Sequence, residues 1–376
     1  MRFHKYVAIL MVCIILAFVW GIASENEVEE KYSFDVTKSF GTEAYKRNDE
    51  SSCYERLRKG LSVNMLVVGD SIGEGSGSSG VEHTWPALVS DYLSQRYNSE
   101  VQYTNVSMGG CASLCGYVRT NAVMDEKCYD LAIICYGQND SEEDFGLYYE
   151  SIIRALRAKY PEIDIICIQE SAQREYTYKM KVIEEIAAHY ECPVVDTIAP
   201  FSEDYDSLVA DGIHPNDEGY KIYASEIEKT IDRMAEQRKP VNKKIEPYDD
   251  RVRLFDGFIW IPEKAFKRIE DSYVINLIGN IENIGNLEPI GSGTGPVVVI
   301  DIFDYNGTNS VMVYNNSVPV IEWASEWPYS FKQRHIPVIS TGCVMNEGTI
   351  KIVLDTHERA DDFEGIGFIL GESGVW

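Results

Sequence analysis

Between Val63 and Gln237, short apolar runs alternate with stretches in which apolar residues return every three or four positions. This alternation constrains the fold more than any other feature of the chain. The short runs read as strands and the longer periodic stretches as amphipathic helices. The strand runs are 63–69, 101–106, 131–136, 163–168 and 193–195. Helical patterns appear in Trp85, Leu88, Val89, Tyr92 and Leu93, in Tyr148, Ile152, Leu156 and Tyr160, around 180–190, and over 217–234. Strands that are apolar at successive positions need cover on both faces. The expectation for residues 61–237 is therefore an α/β domain, a mainly parallel sheet of five strands between layers of helices.

Over 238–250 the composition turns to Lys, Pro, Asn and Asp without periodicity, which reads as a linker. Beyond it come runs such as 273–278, 297–303, 310–314 and 349–354, parted by turn sequences such as Asn306-Gly307. Residues 251–376 are expected to form an all-β, sandwich-like domain, a candidate for carbohydrate binding. Trp323, Trp327 and Tyr329 supply aromatic faces there, for stacking on sugars or for filling the core. Asp301, Asp304 and Asn306 lack the full spacing of a calcium loop.

Residues 1–24 differ from the rest. Arg2, His4 and Lys5 precede an unbroken apolar run, and small residues close it in Gly21-Ile22-Ala23-Ser24. That order is expected of an export signal, and the length also suits a membrane anchor through residues 6–23. Either way the body of the protein is expected outside the cytoplasm, secreted or held at the cell surface. A polar, acidic lead-in over 25–60 follows. With 34 Lys+Arg against 60 Asp+Glu, the net charge of −26 excludes the positive stripe a nucleic-acid binder needs. Cys111, Cys115 and Cys128 match no common zinc spacing, so no metal is expected. Cys135 and Cys167 fall inside apolar runs as small buried hydrophobes.

Three polar segments each follow an apolar run: Gly69-Asp70-Ser71-Ile72-Gly73-Glu74-Gly75, Gly137-Gln138-Asn139-Asp140 and Asp211-Gly212-Ile213-His214-Pro215-Asn216. In an open parallel sheet the loops at the carboxyl ends of the strands share one edge, so Ser71, Asn139 and His214 are placed to converge. A serine hydroxyl needs a base to take its proton and an acid to hold that base in one tautomer. His214 and Asp211 supply both from one turn of chain, and an Asn amide with backbone N–H groups supplies donors for an oxyanion.

These segments resemble the blocks of the SGNH or GDSL-type hydrolases. Gly69-Asp70-Ser71-Ile72 resembles the first block and Asn105-Val106-Ser107-Met108-Gly109-Gly110 the second. Gly137-Gln138-Asn139-Asp140 resembles the third, and Asp211-Gly212-Ile213-His214-Pro215-Asn216 with Gly219-Tyr220 the last. The resemblance covers residues 61–236. It implies a three-layer α/β/α, flavodoxin-like fold with Ser71 as nucleophile, His214 as general base and Asp211 as its orienting acid. It further implies an oxyanion hole of the Ser71 and Gly110 N–H groups and the Asn139 side chain, and no cofactor. Gly69-x-Ser71-x-Gly73 also satisfies the nucleophile elbow of α/β-hydrolases, but only one strand precedes it where that fold requires several.

The expected function is an exported serine esterase acting on small acyl esters, foremost O-acetyl groups of polysaccharide. The alternatives are an O-acyltransferase using the same triad and a catalytically idle glycan-binding surface protein. Asp140 is expected in a structural turn, Trp85 in the core, and His83, His189, His335 and His357 in surface or packing positions.

Overall fold

The computed structural model describes residues 31–36, 44–45, 51–124, 127–237, 244–270, 272–279, 297–303, 310–324, 335–340, 347–355 and 363–369. The N-terminal run 1–24 lies outside them, as do Trp327, Tyr329, Asp304, Asn306 and His357, and the side chains of Asp301, Trp323 and His335 are likewise not described.

The first sheet forms where the apolar runs predict it. Strands β2 (Val63–Gly69), β3 (Val101–Asn105), β4 (Leu131–Cys135), β5 (Asp164–Gln169) and β6 (Val194–Asp196) make a five-stranded sheet in the order β3-β2-β4-β5-β6. Every pairing is parallel. Successive side chains point to opposite faces, so Leu66 and Val68 enter one core while Met65 and Val67 enter another. Helices α1 (Cys53–Arg58), α3 (Trp85–Tyr97) and α9 (Asp217–Gln237) cover the Met65 face. Helices α4 (Ser113–Val123), α5 (Phe145–Lys159) and α6 (Tyr178–Tyr190) cover the Leu66 face. This is the three-layer, flavodoxin-like arrangement expected. The chain steps from β2 outward to β3 and then back across to β4, so the switch point lies between β2 and β4.

The C-terminal region is a sandwich. One sheet runs β1 (Ser33–Asp35), β9 (Ser272–Ile278), β14 (Gly348–Asp355), β11 (Ser310–Asn315) and β12 (Val318–Ala324), with β8 (Lys267–Ile269) also paired to β9. The other runs β13 (His335–Ser340), β10 (Val297–Phe303), β15 (Phe363–Ile369) and β7 (Phe258–Pro262). Tyr273, Ile275, Val311, Val313, Ile350 and Ile352 from the first meet Ile259, Ile261, Ile366 and Phe368 from the second in one buried cluster.

The stretch 25–60, polar as a whole, contributes to both regions. Strand β1 joins the sandwich in parallel beside β9, and Val36 is buried in its core. Helix α1 buries Cys53, Tyr54 and Leu57 against the parallel-sheet domain, and Arg58 hydrogen-bonds to the Ala235 carbonyl. Residues beyond 243 are also tied down. The Tyr248 and Asp249 N–H groups donate to Glu150 at 2.5 and 3.1 Å, and Arg154 grips Asp256. Tyr117 of α4 donates to the Phe255 carbonyl at 2.7 Å and meets Phe255 and Phe258 edge-on.

Candidate active site

Strand β2 ends at Gly69, and Asp70 caps the short helix α2 (Ser71–Glu74) by accepting the Ile72 N–H at 2.9 Å. That turn sets Ser71 at the carboxyl edge of the sheet. Trp85 lies wholly buried beneath it and donates its indole N–H to the Ile72 carbonyl at 3.0 Å, so it is a core residue supporting the turn. The 75–79 loop that follows is tied to α9. Tyr220 donates to the Ser76 carbonyl at 2.6 Å, and Ser79 binds Asp217 through its N–H and hydroxyl at 2.8 and 2.6 Å.

From the far side of the sheet, the 209–216 loop delivers the base. Val209 and Pro215 bridge across it, and Asn216 accepts the Glu218 and Gly219 N–H groups to start α9. His214 Nε2 stands 2.9 Å from Ser71 Oγ, and His214 Nδ1 stands 2.7 Å from Asp211 Oδ2. Because Asp211 can only accept, Nδ1 carries a proton and Nε2 is left free to receive one from Ser71. The other Asp211 oxygen accepts the backbone N–H groups of Ile213 and His214 at 3.1 and 2.9 Å. Partial desolvation works against its ionisation, but these donors outweigh it and hold the Asp211 carboxyl down to about 2.

The remaining expected residues arrive at the same place. Gly110 has φ +76, a conformation glycine adopts without strain, and open space on the side where a Cβ would project. Its neighbour Gly109 packs beside Ser71 and donates its N–H to Glu74 at 3.0 Å. Asn139 Nδ2 donates to Asp70 Oδ2 and to the Cys111 carbonyl, each at 3.2 Å. Both neighbours are acceptors, which fixes the amide with its NH₂ toward Asp70 and the Cys111 carbonyl. Asp140 accepts the Ser113 N–H and hydroxyl at 2.8 and 2.5 Å and so caps α4 across the fold, a structural role but through a distant partner and not the local turn expected of it. His189 packs at the surface on Tyr248 and Tyr190, and His83 faces Glu82.

Four supports of this site carried no signal in the sequence reading. Glu74 holds the Gly109 N–H. Arg174 donates to the Gly212 carbonyl at 3.1 Å and so braces the loop between Asp211 and His214, as does Tyr205 at 3.3 Å. Glu170, at the end of β5, is fully buried and accepts the Gln138 N–H at 2.9 Å. Each is a single polar residue after an ordinary apolar run or in a loop, and only the fold gives it a partner.

An open parallel sheet of this strand order gathers these groups at its carboxyl edge, and the family that residues 67–222 match makes the domain a carboxylic ester hydrolase. Residues 67–222 match the model of the GDSL-like Lipase/Acylhydrolase family, and the chain carries a domain of that family there. Among solved structures it is similar to a two-domain esterase (CEX) active on acetylated mannans, co-crystallised with mannopentaose. The TM-score is 0.61 at 16% identity, over 85% of this chain and 94% of that one. A second structure of the two-domain esterase gives 0.59 at 17% identity with the same coverage. The lipase/acylhydrolase from Enterococcus faecalis shares 25% identity over 47% of this chain and 98% of its own, with a TM-score of 0.38. A likeness covering 85% of the chain extends beyond residues 67–222, so the pairing of the two domains is itself a shared architecture. No curated protein matches the chain.

Proposed function

We propose that this protein is an exported serine esterase that removes small acyl groups, foremost O-acetyl groups of polysaccharide, and that Ser71, His214 and Asp211 carry the reaction. Ser71 Oγ attacks the ester carbonyl carbon while His214 Nε2 takes its proton. Collapse of the tetrahedral intermediate expels the sugar alkoxide, which leaves with that proton. Water then attacks the acyl-enzyme, His214 takes the water's proton and returns it to Ser71 Oγ, and the carboxylic acid departs. The Ser71 and Gly110 N–H groups and the Asn139 amide receive the oxyanion at each tetrahedral step. Asn139 does so by exchanging the neutral Cys111 carbonyl for a charged acceptor, a stronger bond in the transition state than in the resting enzyme.

The observation that carries this reading is the hydrogen-bonded line from Asp211 through His214 to Ser71, at 2.7 and 2.9 Å. The polysaccharide part draws support from the two-domain likeness to an esterase active on acetylated mannans. The apolar run at residues 6–23 supports action on a polymer outside the cell. The test is acetate release from acetylated mannan and xylan, alongside a series of p-nitrophenyl esters from acetate to palmitate. Release that disappears in Ser71→Ala and a preference for acetate are expected. Undiminished release by that variant would remove the mechanism, and labelled acyl-sugar in place of free acid would replace hydrolysis by acyl transfer.

A further inference from the structure

Directly beneath Ser71, two carboxyl groups meet with no cation between them. Asp70 and Glu170 are both wholly buried and hold adjacent residues of one loop, Asp70 the Asn139 amide at 3.2 Å and Glu170 the Gln138 N–H at 2.9 Å, so that each carboxyl lies in the field of the other. Two carboxylates so placed repel, so a proton must lie between them. Both members of the pair are held by outside donors. Glu170 accepts the Gln138 N–H at 2.9 Å on one oxygen and faces the Cys135 thiol at 3.4 Å on the other. Asp70 accepts the Ile72 N–H at 2.9 Å and the Asn139 amide at 3.2 Å.

The other titratable groups around the pair offer no charge to replace that proton. Cys135 and Tyr136 face it from β4, Tyr220 and Tyr223 from α9, and Asp140 from the next loop. Lys179 of α6 lies beyond Asp140 and donates to its backbone carbonyl at 2.9 Å. Burial and the Glu170 charge push the Asp70 carboxyl well above the usual range, and burial raises Glu170 to about 7.

We propose that Asp70 and Glu170 share one proton between them, and that this pair makes Glu170 a positioning residue for Ser71 and Asn139. The inference rests on the esterase reading above. Through Asp70 the pair grips the N–H of the residue after Ser71 and the Asn139 amide. Through Gln138 it grips the loop that carries Asn139. One charge-assisted network thereby fixes the nucleophile's turn and the oxyanion donor relative to each other. A second proton on Glu170 would convert an acceptor into a donor facing the Gln138 N–H and loosen both. The arrangement is therefore complete only above the Glu170 ionisation.

The experiment is Glu170→Gln in the full chain, assayed on p-nitrophenyl acetate from pH 5 to 9. We expect kcat to fall about tenfold or more with KM changed by less than about twofold, as for a group acting in the transition state. The acid limb of kcat/KM should be steeper in the wild type, where the buried pair must hold a single proton, than in the variant, where that requirement is gone. Unchanged kcat, or a lower kcat on an unchanged pH profile, would overturn the positioning role. Infrared spectroscopy reads the pair without catalysis. A protonated carboxyl band that survives at pH 8 in the wild type and is lost in Glu170→Gln is expected, and a spectrum unchanged by the substitution, or without such a band, would overturn the shared proton. If no ester is cleaved by the wild type, the functional reading fails while the infrared result still decides the pair.

Discussion

The two regions of this chain bury different kinds of side chain. Among the described residues the sandwich encloses an almost wholly apolar core, its buried polar side chains being Ser272 and Asn315. The parallel-sheet domain buries Asp70, Asp140, Glu150, Asp164 and Glu170 as well as Ser71, Ser107 and Ser113. Burying a carboxyl group costs stability unless other groups satisfy it, so a core meant only to hold a fold avoids it. Of these, Asp70, Asp140 and Glu170 lie just past the carboxyl ends of β2, β4 and β5, where Asp70 and Glu170 hold the Ser71 turn and the loop that carries Asn139, while Glu150 holds the 248–249 backbone and Asp164 opens β5. The contrast teaches that the first domain gives up part of its stability to site geometry, while the second needs only apolar packing.

Substitutions on the two sides should therefore fail in different ways. Ser71→Ala and His214→Ala are expected to lower kcat on p-nitrophenyl acetate on the order of 10⁵- to 10⁶-fold with the melting temperature nearly unchanged. Asp211→Asn should cost about 10⁴-fold, because the Asn amide favours the wrong His214 tautomer. Asn139→Ala should cost about 10²- to 10³-fold in kcat with KM nearly constant. Across the boundary, Ile352→Ala should cost about 2–5 kcal/mol in denaturant unfolding of the sandwich and leave kcat on the small ester unchanged. A sandwich variant that lost activity at full stability would break the comparison.

The smallest effect is one of pH. Burial, opposed by the Cys53 and Tyr54 N–H groups, raises the Asp164 carboxyl to about 7. Its neutral form belongs to the folded state, so its contribution is complete below the ordinary carboxylate value of about 4 and is lost as pH rises to about 7. Unfolding midpoints between pH 4 and 8 should show that decline, and Asp164→Asn should flatten it.

The five strands of the parallel sheet and the helices over 85–97, 145–159, 178–190 and 217–237 were legible, because each is a local apolar pattern long enough to show its period. So were Ser71, Asn139, Asp211 and His214, since parallel topology carries each loop to one edge. What stayed hidden has physical causes. Helix α4 contains Gly116, which reads as a helix breaker, yet a Cβ there would collide with the Tyr136 ring. In β15, Gly365 and Gly367 read as turn residues but lie under the Trp260 and Phe258 rings of β7. In both cases glycine makes room for an aromatic neighbour distant in sequence, and no local window contains that neighbour. Strand β1 and helix α1 are three and six residues long, too short for periodicity to register. Glu170 became significant only once β5 was placed beside β4.

The central claim is that the Ser71 hydroxyl, activated by His214, is the group that attacks the ester. Treating the protein with a fluorophosphonate and mapping the adduct by peptide mass spectrometry tests it most directly. The account predicts a single stoichiometric adduct on Ser71, loss of esterase activity in step with labelling, and no labelling of His214→Ala. An adduct on a different residue, or full activity in a protein whose Ser71 is completely labelled, would contradict it.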